Sequence, residues 1–180
     1  DRTLARLAAL RPSFMSVTYG AGGSSRGPTA EVVEHIHRDL RVTTMPHLTC
    51  VAHTRAEIEG IVEQYRALGT DNIFALHGDM PLDAPDHPVG DFARAIDLAA
   101  FLRERGPFAI GVAAHPEGHP RAASREDDLD HHAEKLRAAD FAVTQFLFRA
   151  EYYERFVSEM AARGVTTPVI PGVMPPTNAE

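Results

Sequence analysis

The alternation of short apolar runs with amphipathic helical patterns constrains this chain more than any other feature of its sequence. Six runs that resemble buried strands recur about every 30 residues, which is the size of one βα unit. Apolar strands that alternate with helices are typical of a parallel sheet covered by helices. The predicted strands are Ser16 to Gly20, Thr43 to Cys50, Asn72 to Asp79, Ala109 to Pro116, Phe141 to Phe148 and Pro168 to Pro175.

Helical periodicity fills the segments around these strands. A glycine follows three of the helices as a stop signal, at positions 69, 106 and 164. The segment from Met80 to Gly90 is rich in Pro and Asp and predicts one long loop. The length of 180 residues suits one domain spanning residues 1–180. The predicted helices are Thr3 to Leu10, Thr29 to Leu40, Arg55 to Leu68, Asp91 to Arg105, Glu126 to Ala139 and Glu151 to Arg163.

Charge and cysteine content exclude several classes of protein. The chain carries 25 acidic and 18 basic residues without a Lys/Arg block, which argues against nucleic acid as a partner. No apolar run approaches the roughly 20 residues that cross a bilayer, so we expect no membrane partner. A single cysteine, Cys50, can form neither an internal disulfide nor a zinc ribbon, and no signal sequence opens the chain. We therefore expect a cytoplasmic protein.

Polar residues at the strand ends distinguish between two architectures, an open doubly wound sheet and an incomplete eight-stranded barrel. A buried strand tolerates polar residues only where they face water, a ligand or each other. Five consecutive strands end in such residues, which indicates one shared rim and favours a (β/α)8 TIM barrel of which about six βα units are present. These residues are Thr18, Tyr19, His47, Thr49, His77, Asp79, His115, Glu117 and Gln145.

Three motifs at this rim suggest binding chemistry, and each has a simpler explanation. The glycine-rich run that begins at Thr18 can cradle a phosphate or form an ordinary loop. His77 and Asp79 flank Gly78 on the predicted strand, where the carboxylate can bind a heterocycle or cap the next loop. Gln145 lies in an apolar run, where its amide needs a ligand such as a pterin or a partner in the core.

The ten histidines do not predict a metal site. His115 and His119 are four residues apart, but prolines exclude the helix that would align their rings. On the fifth predicted helix, Asp128, His132 and Lys135 share a face that is either solvated or directed at a ligand. We expect His131 and His132 to lie on the surface, and Leu129, Ala133 and Leu136 to form the buried side.

Taken together and in order, the strand-end motifs resemble those of the methylenetetrahydrofolate reductase family. The likeness implies a barrel that passes a hydride from NAD(P)H, through bound FAD, to a folate substrate, 5,10-methylenetetrahydrofolate. The motifs are Ser16-Val17-Thr18-Tyr19-Gly20-Ala21, Pro46-His47-Leu48-Thr49-Cys50, Ala75-Leu76-His77-Gly78-Asp79, Ala113-Ala114-His115-Pro116-Glu117-Gly118-His119-Pro120, Val143-Thr144-Gln145-Phe146 and Ile170-Pro171-Gly172-Val173-Met174-Pro175.

The resemblance also assigns roles to individual residues. Asp79 and Gln145 match positions that contact the folate, and we predict that they are the catalytic and substrate-binding residues of this segment. The family's first strand, with a glutamate that protonates the folate, and its eighth strand have no counterpart in residues 1–180, so we expect this segment alone to be inactive. The predicted cofactor-binding residues are Thr18, Tyr19, His47, His77, Gly78, Asp79, His115, His119, Asp128 and Lys135.

Three departures from the family pattern motivate alternatives. The family usually has arginine at His77, tyrosine at His115 and often a basic residue at Glu134, and each change weakens a site for an anionic dinucleotide. One alternative is a flavin-independent enzyme with direct hydride transfer from NAD(P)H to the folate, and another is a folate-binding barrel without catalysis. A metal-dependent barrel hydrolase is the least favoured. The sequence leaves association into a homo-oligomer open.

Overall fold

A computed structural model describes residues 2–18, 26–79, 90–120 and 122–174. Its helices are α1 (Arg2–Ala8), α2 (Arg26–Glu34), α3 (Arg55–Ala67), α4 (Ala95–Arg103), α5 (Arg125–Arg137) and α6 (Ala150–Ala162). Its strands are β1 (Met15–Val17), β2 (Thr44–Thr49), β3 (Asn72–Leu76), β4 (Ala109–Ala114), β5 (Phe141–Phe146) and β6 (Val169–Gly172).

The six strands follow one another in chain order in one sheet. Strand β1 pairs parallel with β2, β2 with β3, β4 with β5 and β5 with β6. A doubly wound sheet reverses its strand order at a switch point, and this sheet does not. The order confirms the predicted fold class, consecutive βα units of an incomplete (β/α)8 barrel.

The predicted strands were too long at their carboxyl ends. β3 ends at Leu76, three residues before the predicted end at Asp79, and β4 ends at Ala114 instead of Pro116. Gly78 has a φ of +87°, which interrupts the alternation of a strand. The polar residues that follow β3 and β4 therefore lie in loops, and the prediction that His77 and Asp79 share one strand face was wrong.

The chain divides into two compact units, Asp1–Ile110 and Gly111–Glu180. A single domain over residues 1–180 stays a prediction. In the first unit, Val17, Val33 and Ile36 form a buried apolar cluster. The single helix predicted from Thr29 to Leu40 is two segments, because α2 gives way to a π-helical turn at His35–Asp39.

The amino terminus of α3 is capped by both local and distant groups. Thr54 accepts the backbone N–H of Glu57 through its hydroxyl, and the Glu57 carboxylate accepts the backbone N–H of Thr54, which forms a capping box. Asp91 accepts the backbone N–H of Arg55 at 2.8 Å, from 36 residues further along the chain. At the other end, Gly69 has a φ of +79° and ends the helix as the sequence predicts.

In the second unit, a register shift between Val143 and Phe146 interrupts the pairing of β5 with β6. The Thr144 hydroxyl accepts the backbone N–H of Gly172 at 2.8 Å there. Arg163 pairs with Asp130 and Glu126, so the carboxyl end of α6 is fixed to α5. In the described part of the chain, no helix is long and apolar enough to cross a membrane.

Candidate active site

One face of α5 holds the loop that follows β4. Three side chains of α5, spaced three and four residues apart, each bond a backbone group of residues 115–119. Arg125 donates to the Pro116 carbonyl at 3.1 Å, and Asp128 accepts the backbone N–H of His119 at 3.3 Å. His132 accepts the backbone N–H of the first residue after β4. The loop geometry is therefore set by the helix that follows it.

His132 is buried, and the prediction that it lies on the surface was wrong. Its side chain is 3% exposed, and its ring meets the Phe156 ring edge-on with centroids 5.3 Å apart. Nε2 accepts the backbone N–H of His115 at 3.0 Å, and Nδ1 lies 2.8 Å from the Asp128 carbonyl oxygen. These two bonds satisfy both ring nitrogens, which is why the ring tolerates burial. The sequence left two interpretations of the polar face of α5, a solvated face or a face directed at a ligand. The burial of His132 excludes a simply solvated face.

Asp128 is buried among groups that need its carboxylate. Oδ2 accepts the His119 N–H and lies 3.8 Å from Arg125, while Oδ1 lies 3.3 Å from the His132 ring. Arg125 also pairs with Glu159 of α6. A buried carboxylate is stable when it is both paired and hydrogen-bonded, as here.

His115 contributes a polar atom that the described residues leave unsatisfied. Its Nδ1 is buried without a hydrogen-bond partner among the residues that the structure describes. Burial, together with the positive charge of Lys135, lowers the pKa of His115 to about 4, so the ring is neutral at physiological pH. The rings of His115 and His119 meet edge-on at 4.8 Å. A neutral ring with one free nitrogen can donate or accept a single hydrogen bond to a ligand.

Lys135 continues the same face of α5 and is half-buried. Burial lowers its pKa to about 8, and Asp128 is the charge that opposes this shift. The Asp128 carboxylate already has three other neighbours, so the desolvated charge of Lys135 is well suited to an anionic ligand.

The His115 ring lies close to the rings of His119 and His132, but the three rings are not arranged as a metal site. The prediction that prolines exclude a helix at residues 115–119 is confirmed, since this segment turns instead. That turn nevertheless brings the His115 and His119 rings together, which the sequence argument did not anticipate. In residues 2–18, 26–79, 90–120 and 122–174, no three His, Cys, Asp or Glu side chains are arranged to hold a metal ion.

The first unit presents a second group of predicted site residues after β2 and β3. Gly78 packs so closely on the neighbouring segment that an added Cβ would lie 2.8 Å from Val51 Cγ1 and 3.0 Å from Thr49 Cβ. The His77 ring hydrogen-bonds through Nδ1 to the Gly78 carbonyl at 2.8 Å. Asp79 is exposed. This loop is therefore shaped by the close approach of the Gly78 backbone to the residues that end and follow β2.

Two other strand-end residues of this unit have simpler surroundings. His47 is half-buried with its ring centroid 5.0 Å from that of Phe74, and burial lowers its pKa. Thr18 is exposed, and its carbonyl accepts the Thr29 hydroxyl at 3.5 Å. Tyr19, the glycine-rich run after it and most of the long loop predicted from Met80 to Gly90 lie outside the described residues.

Gln145 differs from the sequence expectation. It lies in the irregular part of the β5–β6 pairing and is exposed, so the prediction of a buried amide was wrong. Its Oε1 accepts the backbone N–H of Phe146 at 2.9 Å. The amide nitrogen makes no hydrogen bond within the described residues, so its donors are accessible from solvent.

Sequence reasoning missed the roles of Arg125 and His132. The sequence predicts no role for Arg125, and it places His132 on the surface together with His131. The spacing of Arg125, Asp128 and His132 on one helical face was the available signal. The loop groups that they bond belong to the backbone, and backbone groups cannot be identified from the sequence.

Comparison with known proteins decides the family. The family model described as methylenetetrahydrofolate reductase matches residues 2–180. This chain belongs to the methylenetetrahydrofolate reductase family. It is similar to the 5,10-methylenetetrahydrofolate reductase of Pectobacterium carotovorum, with 39% identity over 176 residues, 96% of this chain and 57% of that protein. It is also similar to the enzyme of the same name from Escherichia coli K12, with 38% identity over 174 residues, again 96% and 57%.

The chain therefore spans less than two thirds of the length of these relatives. Among solved structures, it resembles a protein from Burkholderia cenocepacia J2315, with a TM-score of 0.66 and 14% identity over 98% of this chain and 66% of that chain. A likeness at this identity shows the fold alone. It supports the assignment of the six βα units, and the family match supports the name of the family.

Proposed function

We propose that the protein containing this chain reduces 5,10-methylenetetrahydrofolate to 5-methyltetrahydrofolate with hydride from NAD(P)H. The observation that carries the proposal is the polar group at the end of β4, which has no equivalent in an ordinary solvated helix face. Asp128 and His132 are buried there, and a neutral His115 ring keeps one nitrogen unsatisfied within the described residues. Family membership supplies the reaction class.

The residues after β4 fit an anionic cofactor with a polar ring system, such as FAD. Lys135 supplies a desolvated positive charge for phosphate, and His115 supplies a single ring hydrogen bond. His119 completes this group. For the first unit, we propose as cofactor-binding residues those that the family resemblance implies, which are Thr18, Tyr19, His47, His77 and Gly78. These residues would hold a flavin, and a flavin bound there would supply the chemistry for hydride transfer from NAD(P)H to the folate.

Asp79 and Gln145 are the proposed substrate-contacting residues. The exposed carboxylate of Asp79 would stabilise the positive charge of the iminium form of the folate, which is the form that accepts hydride. The amide of Gln145 would orient the amide-bearing pterin ring through its free donors. The single cysteine, Cys50, fits a reducing compartment such as the cytoplasm.

The test is NAD(P)H oxidation by the purified full-length protein in the presence of methylenetetrahydrofolate. We expect Asp79→Asn to lower kcat about 100-fold, since a charge that acts in the transition state is lost. Asp71→Asn is the matched control, because Asp71 is an exposed aspartate that lies at the opposite, amino end of the same strand, β3. Absence of turnover in the wild type, with tight folate binding, would favour the non-catalytic folate-binding barrel instead.

The flavin-independent alternative is favoured by one observation. His77 directs Nδ1 to its own Gly78 carbonyl, so this loop does not supply the permanently charged guanidinium that the family usually places there. Visible absorbance of the purified full-length protein distinguishes the two routes. A yellow protein supports the flavin route, and a colourless protein that still reduces the folate supports direct transfer.

A further inference from the structure

The first residue after β4 is held by a bond that only a neutral His132 can make. His115 directly follows β4, and its backbone N–H donates to His132 Nε2 at 3.0 Å. The acceptor nitrogen must therefore carry a lone pair. The proton of the neutral ring is then on Nδ1, which donates to the Asp128 carbonyl at 2.8 Å. The ring orientation is fixed from both sides.

Packing leaves this ring no alternative position. Its side chain is 3% exposed, and the Phe156 ring of α6 lies edge-on to it. A second side chain of α5, Asp128, accepts the His119 backbone N–H further along the loop. The two loop histidines are thus each held through their backbone by one side chain of α5.

We propose that His132 is a positioning residue for the cofactor site: it fixes the backbone at His115 and, with Asp128, sets the arrangement of the His115 and His119 rings. This inference rests on the proposed function, because it concerns the site that would bind the dinucleotide. His132 touches no ligand itself. Its effect passes through the loop that carries the two rings.

Acid should abolish this positioning, because it protonates His132. The groups that face His132 are Asp128 and Lys135 of α5 and the rings of His115 and His119. From α6 it meets the uncharged Phe156, while Glu159 is paired with Arg125. Burial and the charge of Lys135 lower the pKa of His132 to about 4. A protonated ring has two donors and no acceptor, so it would repel the His115 N–H.

The experiment compares two substitutions of His132 in the full-length protein. His132→Leu fills similar space without an acceptor, and His132→Gln places an amide oxygen where Nε2 lies. His131→Leu, on the exposed neighbour, is the matched control. The measurements are the exchange rate of the His115 amide hydrogen by NMR, the Kd for FAD, and kcat at saturating FAD.

We expect His132→Leu to accelerate exchange at His115 and to raise the Kd for FAD, each about tenfold, since one hydrogen bond is lost. The value of kcat at saturating FAD should change less than about threefold, and His132→Gln should restore both affected quantities. The ¹⁵N resonances of His132 in the wild type should show the Nδ1–H tautomer at pH 7. Exchange at Ala113 should be the same in all variants.

Three results would overturn the inference: unchanged exchange at His115 in His132→Leu, equal loss in both substitutions, or the Nε2–H tautomer in the wild type. Amide exchange and tautomer need neither ligand nor turnover. A wild-type protein with the expected exchange pattern that neither binds FAD nor reduces the folate would therefore contradict the proposed function and leave the hold of His132 on the loop intact.

Discussion

In the unit Asp1–Ile110, the loops after β2 and β3 are shaped by close backbone packing, whereas in the unit Gly111–Glu180 the loop after β4 is held by side chains of α5. Gly78 lies against Thr49 and Val51, and His77 bonds its own loop. After β4, each anchor comes from a residue at least nine positions away. The first arrangement depends on the absence of a side chain, and the second on specific ones.

The largest effect should come from filling the space at Gly78. Gly78→Ala combines a positive φ with a Cβ contact of 2.8 Å to Val51, so we expect it to lower the free energy of unfolding by about 3 kcal/mol. Gly164→Ala is the control, with a φ of +71° and no neighbour within 4 Å of the added Cβ, and should cost about 1 kcal/mol. If urea denaturation shows the same loss of unfolding free energy for both variants, close packing at Gly78 contributes nothing beyond the positive φ.

The side-chain arrangement is tested most directly at Asp128. Asp128→Ala leaves the His119 N–H without its acceptor and removes the negative charge near Arg125, His132 and Lys135, and should cost about 2 kcal/mol of unfolding free energy in the same measurement. Asp130→Ala, on the exposed side of α5, loses only a surface pair with Arg163 and should cost less than about 1 kcal/mol. Similar losses for both variants would show that the α5 anchors contribute no more than a surface ion pair.

Substitution of Lys135 should change the free energy of unfolding in the opposite direction, towards higher stability. Lys135→Met removes a desolvated charge and should raise the free energy of unfolding at pH 7 by about 1 kcal/mol, while weakening binding of an anionic dinucleotide. The folded-state pKa of about 8 lies below the ordinary 10.5, so wild-type stability should rise as the pH increases between these values. Denaturation across that range should show no such rise in the variant. A destabilised Lys135→Met at pH 7 would contradict the desolvation argument.

Acid should weaken the second unit through its neutral histidines. The pKa values of His115 and His132 are lowered to about 4 from 6.5, so the unfolded chain binds protons that the folded chain excludes. Stability should therefore be full above about pH 6.5 and fall as the pH is lowered towards 4. The fall should be smaller in His115→Gln, measured by urea midpoints at each pH. An identical fall in both proteins would assign the effect to other groups.

Much of the fold was predictable because its signals are local. Apolar runs located all six strands, and Gly69 and Gly164 marked helix ends through their positive φ. The strand ends were placed too far along, because an apolar or polar letter does not show where a backbone ladder stops. The burial of His132 was missed for a related reason: its partner is the backbone of His115, and a backbone group has no identity in the sequence.

The amino terminus of α3 is capped by both local and distant groups, and this bears on the order in which the chain folds. The Thr54 and Glu57 bonds span three residues, so this helix start can form as soon as the segment has been synthesised. The Asp91 bond to Arg55 closes a loop of 36 residues and must wait for the chain that follows β3. The same helix terminus thus carries an early event and a late one, and the amide of Arg55 reports the late one.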